Sequence, residues 1–121
     1  MDWDWVEAFP VENPITWAQV KEWANNLLPD AQVGLARHPR GCPIANAVRS
    51  IYNPPADMGI SIGMHFNSDA TLDCYVLRLW PGNGAITPIA ISDMKVQKCI
   101  EDIDAQYFGT PILASFIQEM E

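Results

Sequence analysis

Residues 58–66 alternate without a break: Met58, Ile60, Ile62, Met64 and Phe66 fall on one side, and Gly59, Ser61, Gly63 and His65 on the other. A period of two is strand geometry, and a helix would scatter those apolar residues around its axis. Asn67-Ser68-Asp69-Ala70 supplies turn chemistry. The next run, 72–80, is fairly apolar on both faces, as a central strand covered on both sides would be. Pro81-Gly82-Asn83-Gly84 is a hairpin signal into a third strand around 85–91, which Pro88 marks as an edge. The chain is therefore predicted to build a consecutive antiparallel meander over 58–66, 72–80 and 85–91, with His65 pointing away from the core.

Helices flank this meander. Cys42-Pro43 followed by Ile44, Ala47, Val48 and Ile51 gives a proline at the first helical position and an apolar stripe at i, i+3, i+4 and i+7. Asn46, Arg49 and Ser50 fall on the opposite face, and Asn53-Pro54-Pro55 stops the helix. Thr16 with Gln19 has capping-box spacing, and Val20, Trp23, Ala24 and Leu27 continue at helical period. Ser92 or Asp93 caps a last helix with Val96, Cys99, Ile100 and Ile103 inward and an acidic face outward. Helices are thus expected near 16–28, 43–52 and 93–106. Residues 32–36 read as a short extended piece, and 112–117 as a fourth strand or a short helix. The predicted core is Ile44, Val48, Ile51, Ile60, Ile62, Val76, Val96, Ile100 and Ile103.

These elements predict an α+β fold in which a small, mainly antiparallel sheet of three to four strands is packed by about three helices in the order α-α-β-β-β-α-tail. At 121 residues the expectation is a single domain, 1–121, with an N-terminal arm (1–15) and a core (16–121). The arm interleaves Trp3, Trp5 and Phe9 with Asp2, Asp4 and Glu7 before Pro10 and Pro14, so it reads as irregular, either packed as a lid or exposed as a sticky patch.

The Cys-Pro-Ile-Ala-x-Ala-Val run, the Ser-Ile-Gly strand and Cys99-Ile100-Glu101-Asp102-Ile103-Asp104 leading to Gly109 resemble a family of small uncharacterised proteins from actinobacteria and their phages. The resemblance covers roughly residues 41–117. It departs in the last helix, where the family has a Phe-Ile pair before Phe-Asp. It implies a phage or mobile-element origin and brings no activity with it.

Composition narrows the function classes. Seven basic against fifteen acidic residues give a formal charge of −8, which disfavours nucleic acid as a direct ligand, because phosphate contacts require Lys and Arg. No apolar run approaches a membrane span, and the acidic N-terminus lacks the features of a targeting peptide, so the expected location is cytoplasmic. Three cysteines are too few for a disulfide framework.

Two functional readings remain. The first is a non-enzymatic protein-protein interaction module, for a partner with a basic surface, in which Asp2, Trp3, Asp4, Trp5, Glu7, Asp93, Glu101 and Asp104 form the contacts. A phage-encoded host-directed or anti-defence inhibitor would be one form of it. The alternative is a thiol-dependent enzyme or redox protein with Cys42 as nucleophile at a helix N-terminus and His38 as base, helped by Arg37 and Arg40. His38, Cys42, His65 and Cys74 offer two nitrogen and two sulfur ligands, but their spacing matches no closed zinc site, so neither metal nor cofactor is expected. The acidic pairs of the last helix read as solvated charge.

Overall fold

The computed structural model describes residues 2–82 and 85–121, with side chains from Asp4 onward. Asn83 and Gly84 of the expected hairpin turn, and the side chains of Asp2 and Trp3, lie outside the described residues. In chain order the elements are α1 (Asp2–Ala8), α2 (Trp17–Asn25), β1 (Gln32–Leu35), α3 (Pro43–Tyr52), β2 (Gly59–Phe66), β3 (Leu72–Trp80), β4 (Thr87–Ala90), α4 (Met94–Asp104), β5 (Pro111–Leu113) and α5 (Ala114–Gln118). This is an α+β fold, as the patterns predict.

Local chemistry sets the helix starts. The Thr16 side chain accepts from the Gln19 N–H, while the Gln19 side chain accepts from the Thr16 N–H at 2.9 Å, so two otherwise orphaned donors at the head of α2 are satisfied. Asp93 caps α4 by accepting from Lys95 N and Val96 N, and its other oxygen accepts from Trp17 N at 2.9 Å. One carboxylate thus joins the first turns of two helices. α3 starts at Pro43 and ends at Asn53, whose left-handed backbone (φ 47°) lets its N–H reach the Arg49 carbonyl.

The meander forms as expected, antiparallel in the order β2-β3-β4, with Ile62 opposite Leu77 and Leu77 opposite Ile89. Ile60, Ile62, Tyr75, Leu77, Leu79 and Ile89 join the apolar stripes of α3 and α4 in one core. Val76 is buried too, but it alternates with Tyr75 and Leu77 onto the outer face. That face is less closely packed than the inner one, with His65, Pro88 and Ala90 exposed on it. There Arg78 lays its guanidinium over Gly63, the partner of Val76 across the strands, where any side chain would collide with it. The expectation of a strand covered on both sides is met only in part.

The tail does not extend the meander. Residues 111–113 pair with 32–35 as a separate two-stranded antiparallel sheet, β1-β5, and the chain then turns directly into α5, so both readings of the tail are realised in succession. α5 packs on α2, where the Lys21 ammonium donates to the carbonyls of Gln118 and Met120 and the Gln118 amide donates to those of Ala24 and Leu27.

The irregular arm is also corrected. Residues 2–8 form a helix, Val6 and Phe9 are buried, and the Phe9 ring packs at a tilt between Trp5 (ring centroids 5.1 Å apart) and Tyr52 (4.6 Å). The Tyr52 hydroxyl donates to the Pro14 carbonyl at 2.7 Å, fastening the segment to the end of α3. Apolar burial by Val6 and Phe9, worth about 1.5–3 kcal/mol per large side chain, favours the packed form over an exposed patch.

Both edges of the meander are blunted. Pro88 interrupts the donors of β4. On β2 the Ile62 N–H donates to the Pro39 carbonyl at 3.0 Å, and the Ile60 carbonyl accepts from Arg49 on α3. Such coverage removes much of the template for pairing with another chain. No described helix is long and apolar enough to cross a membrane.

Candidate binding cleft

Residues 37–42 join β1 to α3, hydrogen-bond to both sheets through Leu35 and Ile62, and shape one side of a concavity. Gly34 permits this, because a Cβ there would run into Gly41 and Pro43. The Leu35 N–H donates to the Gly41 carbonyl at 2.9 Å. Arg37 takes a left-handed backbone (φ 58°), and its Nε donates to the Asp104 carbonyl at 2.8 Å, holding the loop against the end of α4.

Between this loop, β2, β3 and α4 lies a cleft of about 420 Å³. Cys42, Ile62, Tyr75 and Ile100 line its interior, while Arg37, His38, Met64 and Asp104 bring longer or polar groups to it. The apolar lining continues outward as exposed surface. Met64 is 47% exposed, Phe66 51% and Leu72, the partner of Phe66 across the hairpin, 41%. β2 therefore outruns the helices that cover its first half, and the expected apolar face emerges into solvent. Phe108, 72% exposed, lies with its ring centroid 6.5 Å from that of His38, which lines the cleft.

Cys42 and His38 both line the cleft. Burial pushes the Cys42 thiol up to about 11; the backbone N–H groups of Ile44 and Ala45 only partly oppose this, and no side-chain cap hydrogen bond forms. The helix N-terminus therefore does not deliver a thiolate at neutral pH, against the sequence expectation. The Nδ1 of His38 accepts the Gly41 N–H at 2.9 Å, so that nitrogen is engaged by the loop. No described hydrogen bond connects His38 to Cys42.

The acidic candidates separate into different roles. Asp93 is a helix cap, and Trp5 is half-buried in the α1 packing, with its indole N–H directed at the Tyr52 carbonyl. Asp4 and Glu7 are exposed on α1. Glu101 is exposed on α4 with Lys98 3.5 Å away, and Lys98 also meets Asp102 at 3.1 Å. Asp104 is half-buried at the cleft, where burial raises its pKa against the opposing influence of Arg37. The described members of the sequence-based set thus lie on α1 and on α4 with its cap.

Two features of the cleft were missed from sequence. Tyr75 brings a phenol into it, with its pKa raised by burial first and then by Asp104 and Glu101. Period-two alternation with Leu77 was the signal that could have placed it on the inner face. Phe108, beside His38, lies in the connection between α4 and β5, and nothing in its local pattern locates the cleft. The four residues weighed from sequence as nitrogen and sulfur donors divide between the two faces of the meander: His38 and Cys42 at the inner cleft, His65 and Cys74 on the outer face.

No protein-family model matches this chain, and neither the curated proteins nor the solved structures compared with it contain a match.

Proposed function

We propose that the protein is a non-enzymatic interaction module that docks a basic protein partner over the Cys42–Tyr75 cleft. The observation that carries this reading is an apolar concavity lined in part by the exposed Met64, with exposed Phe66 two residues further along β2 and exposed Phe108 beside the lining residue His38. A desolvated pocket that receives an anchor side chain, surrounded by apolar contacts, is the usual energetic centre of a protein interface. The net charge of −8, with Glu101 and Asp104 on the adjoining helix, favours a partner whose anchor is flanked by Lys or Arg. A neutral Cys42 thiol and a His38 nitrogen committed to the loop both weigh against the thiol-enzyme alternative. Three free cysteines suit a reducing compartment, and we place the protein in the cytoplasm.

Affinity capture from a lysate with the untagged surface intact tests the proposal. Partners held at low salt should weaken as ionic strength rises, disappear with the pair Met64→Ser and Phe108→Ser, and persist with Cys42→Ser. An unchanged partner set for the Met64/Phe108 variant would reject the cleft as the contact surface.

A further inference from the structure

The hairpin between β2 and β3 carries a feature that the cleft does not use. His65 pairs with Cys74 across the strands, yet the next pair is Phe66 with Leu72, so Asp73 is an extra, unpaired residue. In a regular strand Asp73 would face away from its neighbour Cys74, because successive side chains alternate faces. The bulge cancels that alternation and brings Asp73 to the His65 side, as bulges re-aim side chains elsewhere. One imidazole nitrogen, one carboxylate oxygen and one thiol sulfur consequently lie within 4.8 Å of one another.

We propose that His65, Asp73 and Cys74 form a binding site for a zinc-class divalent cation on the outer face of the meander. The donor set is one nitrogen, one oxygen and one sulfur, which suits zinc or cobalt and does not suit magnesium or calcium. In a tetrahedral site with bonds of about 2.0–2.3 Å, neighbouring donor atoms stand about 3.3–3.8 Å apart. His65 Nδ1 and Asp73 Oδ2 are already 3.3 Å apart, and these side chains, 63% and 52% exposed, have room to close the remaining gap to Cys74. Cys74 is half-buried, and burial first and then the charge of Asp73 favour its thiol proton. Metal binding exchanges that proton for the cation and releases it to solvent, and neutral His65, Asp73 carboxylate and Cys74 thiolate together offset the divalent charge. Water completes the solvent-facing fourth position. Arg78, on the same face, is directed over Gly63.

The test is titration of the untagged, reduced full-length chain with Co²⁺ alone, followed by Zn²⁺ competition. The expected result is one equivalent bound with a thiolate-to-cobalt charge-transfer band, which one equivalent of Zn²⁺ abolishes and excess Mg²⁺ leaves in place. Cys74→Ser should remove the band. His65→Gln and Asp73→Asn should each weaken cobalt affinity by about tenfold or more, since losing even the groups that merely support metal ligands typically costs that much. Circular dichroism of the three variants checks that these exposed changes leave the fold intact. Absence of the band at stoichiometric cobalt would overturn the proposal. So would a band that survives Cys74→Ser, because another thiol would then hold the cobalt, or cobalt affinity unchanged by both His65→Gln and Asp73→Asn, because Cys74 alone would then account for the binding.

Discussion

Replacing Arg49 with methionine keeps most of the aliphatic stem and removes the guanidinium, which isolates the hydrogen bonds from the packing. Arg49 donates through Nη1 to the Arg40 carbonyl at 2.8 Å and to Asn46 Oδ1 at 2.7 Å, and through Nη2 to the Ile60 carbonyl. The two carbonyls respond differently to the substitution. Arg40 is exposed and its carbonyl can turn to water, whereas Ile60 is only 1% exposed. A dry, unpartnered carbonyl costs about 1–3 kcal/mol, and the lost charge-assisted bonds add to it without being fully additive. Arg49→Met should therefore destabilise the fold by about 2–4 kcal/mol. Arg49→Lys should recover only part of this, because an ammonium cannot reproduce the planar fork across two carbonyls and an amide. The assay is urea unfolding at neutral pH, read as a shift in midpoint at constant m-value. A loss below about 0.5 kcal/mol for Arg49→Met, or full recovery with lysine, would refute the view that Arg49 fastens α3 to the edge of β2.

Ile100→Ala removes a fully buried side chain beneath the cleft and should cost about 2–5 kcal/mol in the same assay, with a loss under half a kcal/mol contradicting its place in the core. At pH 8 an alkylating reagent should label Cys74 well before Cys42 and Cys99, which burial pushes up to about 11 and about 12; equal labelling rates by mass spectrometry would contradict that order. Because the folded thiol pKa values lie above those of the unfolded chain, their contribution to stability is intact below the ordinary thiol value of 9.0 and declines as pH rises through 11 and 12. Alkaline melts should show that decline, reduced in Cys42→Ala.

What the sequence made legible is what neighbouring residues decide together. Pro43 and the Ile44/Ala47/Val48 stripe locate α3, Thr16 and Gln19 locate the start of α2, and strict alternation from Ile60 to Phe66 locates β2. Most of the misreadings depend on partners far along the chain. α1 looks irregular because its Trp5 and Phe9 are held by Tyr52, more than forty residues away. Arg49 sits on the polar face of its helix and reads as solvated, but that face meets a strand edge. At Cys42 a local argument from the helix terminus predicts a thiolate, and tertiary burial outweighs it. The grouping of Asp73 with His65 and Cys74 depends on a one-residue slip in register, which residue spacing does not encode.

The pairing of β1 with β5 has a consequence in time. Gln32 meets Leu113 across about eighty residues of chain, whereas the β2-β3 hairpin closes over about six. On a logarithmic loop-closure scale that difference costs about 2 kcal/mol of additional chain entropy. The hairpin can nucleate early, while β1-β5 must wait until the intervening helices and meander have shortened the effective distance between its strands. The small sheet thereby acts as the closing latch of the folding reaction, and weakening it accelerates opening of the finished molecule more than it delays its assembly.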